Sequence, residues 1–381
     1  MYKDNKGNVS AFVYELAKKS EMVSLNYNAL DKIKKYGRII GFESVFNEIK
    51  WINPNTDILN KLKTLPKVNM FMSTAEWADL FINNLKNWFL ENLKEGQKYW
   101  LLHSSGGDSR ILSGILALLK QEGYKWNVKF VSWFPEAEMS YRILKFLGWD
   151  DEDIWLVGSE KKLNPESYWN ESNFYIYDEI GIITNGEIMP FGSAQSFFWK
   201  TYFKDVKEIN IIMALMGDVI MGALPWWRRM KRYKVLGMPF LFSENFKINT
   251  LIAGTTRWNG LGVLGYLKDF NDLLVPTMNF EMVHYGISVP YLRRRNDILR
   301  KTIQEKIKKG LSRIPNANGV WVKKNKDLFK KIWSDYYNSY FYGETHIDDN
   351  VDVGNGVRVP IFLSLASLID ALKKDNVKIK L

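Results

Sequence analysis

Residues 99–120 read Tyr-Trp-Leu-Leu-His-Ser-Ser-Gly-Gly-Asp-Ser-Arg-Ile-Leu-Ser-Gly-Ile-Leu-Ala-Leu-Leu-Lys. An apolar strand over 99–102 runs into a Ser/Gly loop, and a helix opens directly behind it. The strand is apolar at every position, as a parallel strand buried on both faces is. Behind the loop, Ile111, Leu112, Ile115, Leu116 and Leu119 share one face of a helix. The loop, Ser104 to Ser109, suits a site that grips phosphate with backbone N–H groups and hydroxyls at a helix N-terminus. Gly106 and Gly107 admit a ligand close to the backbone, and Ser104, Ser105 and Ser109 add hydroxyl donors. Asp108 would repel a phosphate unless a divalent cation stood between them, so the pattern implies Mg²⁺. Arg110 reads as a phosphate contact or as a solvent-facing residue of the first turn. Its charge opposes the helix dipole unless an anion is near, which favours phosphate. His103, at the strand end, reads as a packing or hydrogen-bonding residue before an acid or base.

Working outward, residues 74–95 show helical periodicity with Ser73 or Thr74 as N-cap. A second strand spans 128–134, and Pro135-Glu136-Ala137-Glu138 opens a helix that Gly148 ends. This alternation of strands with helices of 10–15 residues predicts an α/β fold, a parallel sheet flanked by helices. A third apolar strand, 209–215, leads into Met216-Gly217-Asp218-Val219-Ile220-Met221-Gly222. Asp108 and Asp218 therefore hold equivalent positions, each in a Gly-containing loop just after a buried strand. In a parallel sheet both loops emerge at the carboxyl edge, where two carboxylates can share a Mg²⁺ that carries the phosphates of ATP. A Gly-Asp pair after a strand is also an ordinary turn. Residues 1–65 read as a few strands, one over 38–42, and the C-terminal third as largely helical. A final helix over 360–372 reads as core packing or a homodimer contact.

Composition narrows the chemistry. The 381 residues are 46% hydrophobic, with 15 Trp, 19 Tyr and 22 Phe, as in a packed globular chain. There is no Cys, which excludes disulfides, Cys-based zinc sites and a thiol nucleophile. With only three His, a multi-His metal centre is not expected. No signal peptide opens the sequence and no apolar run reaches the span of a bilayer, so the expected location is cytoplasmic. The net charge of +11 favours an anionic partner, although Lys interleaved with Asn and Ile dilutes that signal. The segment Trp226-Trp227-Arg228-Arg229-Met230-Lys231-Arg232-Tyr233-Lys234 and the cluster Arg293–Arg295 are either nucleic-acid contacts or solvated faces.

The loop lacks the Gly-Lys-Ser/Thr of a Walker motif and the dinucleotide-binding glycine spacing. It resembles the S-G-G-x-D-S pyrophosphate loop of the N-type ATP pyrophosphatases. Ser104, Gly106, Asp108 and Ser109 match, and Ser105 stands where that pattern has its first Gly. The chain further resembles the synthetase half of the asparagine synthetase family, which includes the β-lactam-forming relatives. Asp218, Met221 and Gly222 fall on the family's S-G-x-G-x-D-E-x-F-G-G segment, and Val289-Pro290-Tyr291-Leu292-Arg293-Arg294 is similar to its P-[FY]-L-D-R stretch. Residues 41–57 resemble the end of the family's N-terminal glutaminase domain, so 1–65 is expected to be a small β-rich remnant of it. Residues 66–381 are then the synthetase-like unit, with the adenine nucleotide alpha hydrolase type of sheet. The family's catalytic Cys is absent, so glutamine hydrolysis is not expected; Val219 and Leu215 replace acidic residues of the pattern.

The resemblance implies an ATP-dependent ligase with Mg²⁺: a carboxylate is adenylated, pyrophosphate leaves, and an amine attacks the acyl-adenylate. It implies metal ligation by Asp108 and Asp218, and nucleotide contacts from Ser104 to Arg110, from Ser132 and from Gly217. A downstream Lys would stabilise charge in the transition state; Lys323 and Lys324 are the candidates, although 323–331 is also a solvated basic run. The substrate would be a small-molecule or peptidic carboxylate, with a separate amine donor. Two other readings stand beside it: a nucleic-acid-modifying enzyme of the same fold, and a degenerate member that only binds nucleotide or serves as a scaffold.

Overall fold

The computed structural model describes residues 2–36, 39, 43–52, 68–69, 71–133, 136–157, 207–214, 217–221, 271–316 and 358–380. Strands and helices are numbered in chain order over these residues.

The N-terminal strands are β1 (Tyr2–Asp4), β2 (Val9–Ser10), β3 (Met22–Ser24) and β4 (Ile49–Trp51), with helices α1 (Val13–Lys18) and α2 (Tyr27–Tyr36) between them. α3 (Thr74–Asn92) leads to β5 (Lys98–Leu102), α4 (Gly107–Gln121), β6 (Asn127–Trp133), α5 (Ala137–Leu147) and β7 (Ile154–Val157). Then come β8 (Ile209–Ile212), α6 (Gly217–Ile220), β9 (Asp272–Leu274), α7 (Phe280–Ser288), α8 (Tyr291–Arg294) and α9 (Ile298–Ile307). The last elements are α10 (Arg358–Lys374) and β10 (Lys378–Lys380).

The expected parallel sheet is present: five strands in the order β7-β6-β5-β8-β9, every neighbouring pair parallel. Its central strand is apolar from Tyr99 to Leu102, where both faces are covered. Tyr99 and Leu101 of β5, Val128 and Phe130 of β6, and Ile212 of β8 enter one core with α3, α4, α5, α7 and α9. The alternate residues Leu102, Val131 and Ile211 are buried on the opposite face. α3 begins at Ser73 with a reciprocal cap, the Ser73 hydroxyl accepting from the Glu76 N–H and the Glu76 carboxylate from the Ser73 N–H. α5 ends at Gly148 in the left-handed conformation (φ 98°), which only Gly adopts without strain.

Chain order determines where such a sheet binds. From β5 the chain steps outward to β6 and β7, then returns to place β8 on the other side of β5. Strand order thus reverses between β5 and β8, and their carboxyl ends mark the switch point of the sheet. Ligands of open parallel sheets occupy that position.

A second core lies at the chain's two ends. Tyr2, Val13, Leu16, Val23, Ile33, Phe46 and Ile49 pack with Leu365, Leu368, Ile369, Leu372 and Val377. β1 pairs antiparallel with β2 and β4, and β3 pairs in parallel with β10, Val23 opposite Ile379. The C-terminal helix, expected in the synthetase-like unit, packs into this N-terminal core, which holds two helices besides its short strands. The strand expected over 38–42 falls mainly outside the described residues. Among the described residues, no helix is long and apolar enough to cross a membrane.

Candidate functional site

β5 delivers His103 and the Ser104–Gly106 turn to the carboxyl edge of the sheet, and α4 begins at Gly107. Gly106 is the N-cap and supplies no capping side chain, so the helix N-terminus is left to another group. The turn is braced from within. The Ser104 N–H donates to Ser109 Oγ (3.3 Å), the two hydroxyls are 3.1 Å apart, and the Gly106 N–H donates to Ser104 Oγ (3.1 Å). Ser105 is fully buried. Its N–H donates to Glu136 Oε2 (2.9 Å), and its hydroxyl donates to the same oxygen.

Asp108 stands in the first turn of α4, its side chain 16% exposed. Opposite it is Gly217, the first residue of α6 after β8. A Cβ on Gly217 would lie 2.3 Å from Asp108 Cγ, so only a glycine backbone fits against this carboxylate. The two loops expected to meet at the carboxyl edge are therefore in contact through Asp108 and Gly217. Asp218 follows in α6, but its side chain lies outside what the structure describes, as do Lys323, Lys324 and residues 226–234.

Arg110 takes a different place from the one expected. Its side chain is buried, and all five N–H donors go to backbone carbonyls. Nε and Nη2 donate to Ser105 O (3.0 and 2.9 Å), Nη1 to Leu311 O and Ile314 O, and Nη2 also to Pro315 O (2.8 Å). Its guanidinium thus ties the loop to residues 311–315 and has no donor left for phosphate. Burial and the charge of Arg300 both lower its pKa, with Glu136 opposing; an arginine stays a cation nonetheless.

His103 is the structural residue it was read as. Enclosed completely, its Nδ1 lies 2.6 Å from Ser140 Oγ and its Nε2 3.1 Å from Ser113 Oγ, joining α4 to α5. Burial, aided by the charge of Arg110, pushes its pKa down to about 3, so the ring is neutral. Ser132, near the end of β6, is also fully buried, and its hydroxyl has no hydrogen-bond partner among the described residues. No family model and no curated protein matches the chain.

Two residues that the sequence reading did not assign to the site complete it. Glu136 is one. The other is Arg300 of α9, whose Nη1 is 3.4 Å from Asp108 Oδ1 and whose Nη2 is 2.9 Å from Asp297 Oδ2. Burial would lower the Arg300 pKa, but the Asp108 and Asp297 carboxylates outweigh it and hold the pKa above its ordinary value. Arg300, Ile303, Gln304 and Ile307 form an i, i+3, i+4, i+7 stripe facing α4. Gln304 donates to Gly107 O (3.0 Å), and Ile307 fills the space beside Gly114. An arginine and a glutamine spaced i, i+4 within an otherwise apolar stripe were the available signal.

The donor set suits magnesium only in company. Among the described residues, no group of three or more acidic or His side chains could hold a metal. A single carboxylate beside a phosphate-binding loop is still a common setting for Mg²⁺, which keeps its waters and takes remaining ligands from substrate phosphates.

Proposed function

We propose that the chain is an ATP-dependent ligase that forms an acyl-adenylate and passes the acyl group to an amine. One observation carries the reading: at the switch point between the carboxyl ends of β5 and β8, the loop carboxylate Asp108 lies directly against Gly217, the residue before Asp218. The resemblance to the asparagine synthetase family had placed its two metal-ligating loops at these positions. In support, the first turn of α4 has no side-chain cap, Ser105 already directs two donors at an anionic oxygen, and the Ser132 hydroxyl is buried without a partner among the described residues.

In the proposed reaction, a substrate carboxylate oxygen bonds to the α-phosphorus of ATP as the bond to the β-phosphate bridging oxygen breaks. Pyrophosphate leaves. The amine nitrogen then attacks the acyl carbon, the bond to AMP breaks, and the nitrogen loses a proton. Asp108 and Asp218 would hold Mg²⁺, which when bound neutralises charge on the departing pyrophosphate. The Gly107 amide at the start of α4, and the Ser105 amide once Glu136 gives it up, would bind the phosphates. Lys323 or Lys324 would offset charge on the phosphorus in the transition state.

The test is ATP binding by calorimetry with and without Mg²⁺, on the wild type and on Asp108→Asn and Asp218→Asn. The expected result is Mg²⁺-dependent binding to the wild type and its loss in both variants. Wild-type protein that binds no nucleotide, or binding that survives both substitutions, overturns the reading. A non-catalytic nucleotide-binding protein is the second reading, favoured by the hold of Glu136 on the loop donors; turnover of ATP to AMP ends it.

A further inference from the structure

Both functional halves of the loop are engaged by charged side chains of the chain itself. The Ser105 N–H and hydroxyl, the donors best placed for a phosphate oxygen, converge on one oxygen of Glu136. Asp108, the carboxylate best placed for a cation, has the Arg300 guanidinium beside it at 3.4 Å. Arg300 also lies against Gly107, where a Cβ would be 2.9 Å from Nε, so it covers the start of α4. An anion therefore sits on the anion-binding donors and a cation on the cation-binding carboxylate.

We infer that Glu136 and Arg300 are internal stand-ins for the two halves of a metal–polyphosphate ligand, and that they make the loop selective for the complete pair. The inference rests on the reading of the loop as a site for such a ligand. A free polyphosphate must displace Glu136 and then faces Asp108 without a cation of its own. A free divalent cation must displace Arg300, leaving a half-buried guanidinium next to a dication. Either exchange alone leaves a charge in the site uncompensated, and an unpaired charge away from water is costly. A metal–polyphosphate exchanges anion for anion and cation for cation in one event. Asp297 reinforces the arrangement by holding Arg300 through its second Nη (2.9 Å), so the guanidinium stays by Asp108 until a ligand competes for it.

The experiment is calorimetric titration of the full chain with inorganic pyrophosphate alone, MgCl₂ alone, and the two together. It uses the wild type, Glu136→Gln, Glu136→Asp, Arg300→Gln and Arg300→Lys, each checked for fold by its thermal unfolding. The wild type is expected to bind Mg-pyrophosphate and to bind each component alone far more weakly. Glu136→Gln should improve metal-free pyrophosphate binding about tenfold or more; Glu136→Asp, with its charge withdrawn by one methylene, should move in the same direction. Arg300→Gln should improve binding of Mg²⁺ alone by a similar factor, and Arg300→Lys should restore wild-type selectivity. If the wild type binds Mg-pyrophosphate and the Gln variants keep its selectivity, the stand-in role is refuted while the reading of the loop survives. If no protein binds Mg-pyrophosphate, both fall together.

Discussion

His103 sits where a general base would be convenient, and its surroundings remove that option. Burial depresses its pKa from 6.5 to about 3, so the folded chain keeps the ring neutral where the unfolded chain protonates it. The unfolded state then binds more protons as pH falls below 6.5, and stability declines with it by up to about 1.4 kcal/mol per pH unit. His103→Gln, uncharged throughout, is expected to flatten the dependence of unfolding free energy on pH between 6.5 and 5, a window above most carboxylate titrations; urea melts across that range measure it. Arg110 gives the complementary lesson. Its position after the loop Ser suggested phosphate because the dipole argument treats α4 in isolation. Four carbonyl oxygens, three of them about 200 residues further along the chain, accept its five N–H donors instead. Side-chain direction at such a position depends on residues that no local pattern reveals.

At the level of elements, β5, the loop and α4 were readable because their determinants are contiguous: an apolar run, two glycines, then an apolar helical face. The packing of α9 on α4 was not, since it depends on a match between surfaces distant in sequence. Gly114 marks that match. A Cβ there would lie 2.6 Å from Ile307 Cγ2, closer than any real contact, so the two helices approach at the expense of a side chain. Gly114→Ala is expected to cost ~1–3 kcal/mol through overpacking, despite the better helix propensity of alanine. The double variant Gly114→Ala/Ile307→Ala should recover part of that loss, so a double-mutant cycle on chemical denaturation should show coupling between the two sites. Additive effects would mean that the helices do not meet there. Because α9 also carries Arg300, the same strain should reach Asp108. The left-handed pair Asn296 (φ 55°) and Asp297 (φ 61°) sets the start of this helix, with residue types that tolerate such a backbone.

At the scale of the whole molecule, the described residues form two hydrophobic cores, and only one of them was legible. The sheet core announces itself through long apolar strands. The other is built from strands of two or three residues, among them Lys378-Ile379-Lys380, whose alternation is too short to register. Its partners, residues 22–24, are more than 350 positions away. Leu368, fully buried in α10, is a direct probe of it. Leu368→Ala is expected to cost ~2–5 kcal/mol. Native-state hydrogen exchange should show the loss in the amides of β1, β3 and β10 while those of β5 and β6 keep their protection; equal loss in all five would mean one cooperative unit.

The pairing of β3 with β10 also has a consequence during synthesis. The chain leaves the ribosome N-terminal end first, and residues 2–51 meet the apolar face of α10 only after all of the intervening chain has been made. At about 5–20 residues per second, that is a delay of roughly 15 to 70 s. The sheet with its Ser/Gly loop can close before then, but Tyr2, Val23, Phe46 and their neighbours lack the side chains of α10 throughout. Residues 2–51 are therefore made before the sheet yet complete their core after it, and in the nascent protein their apolar side chains stay open to a chaperone in the meantime.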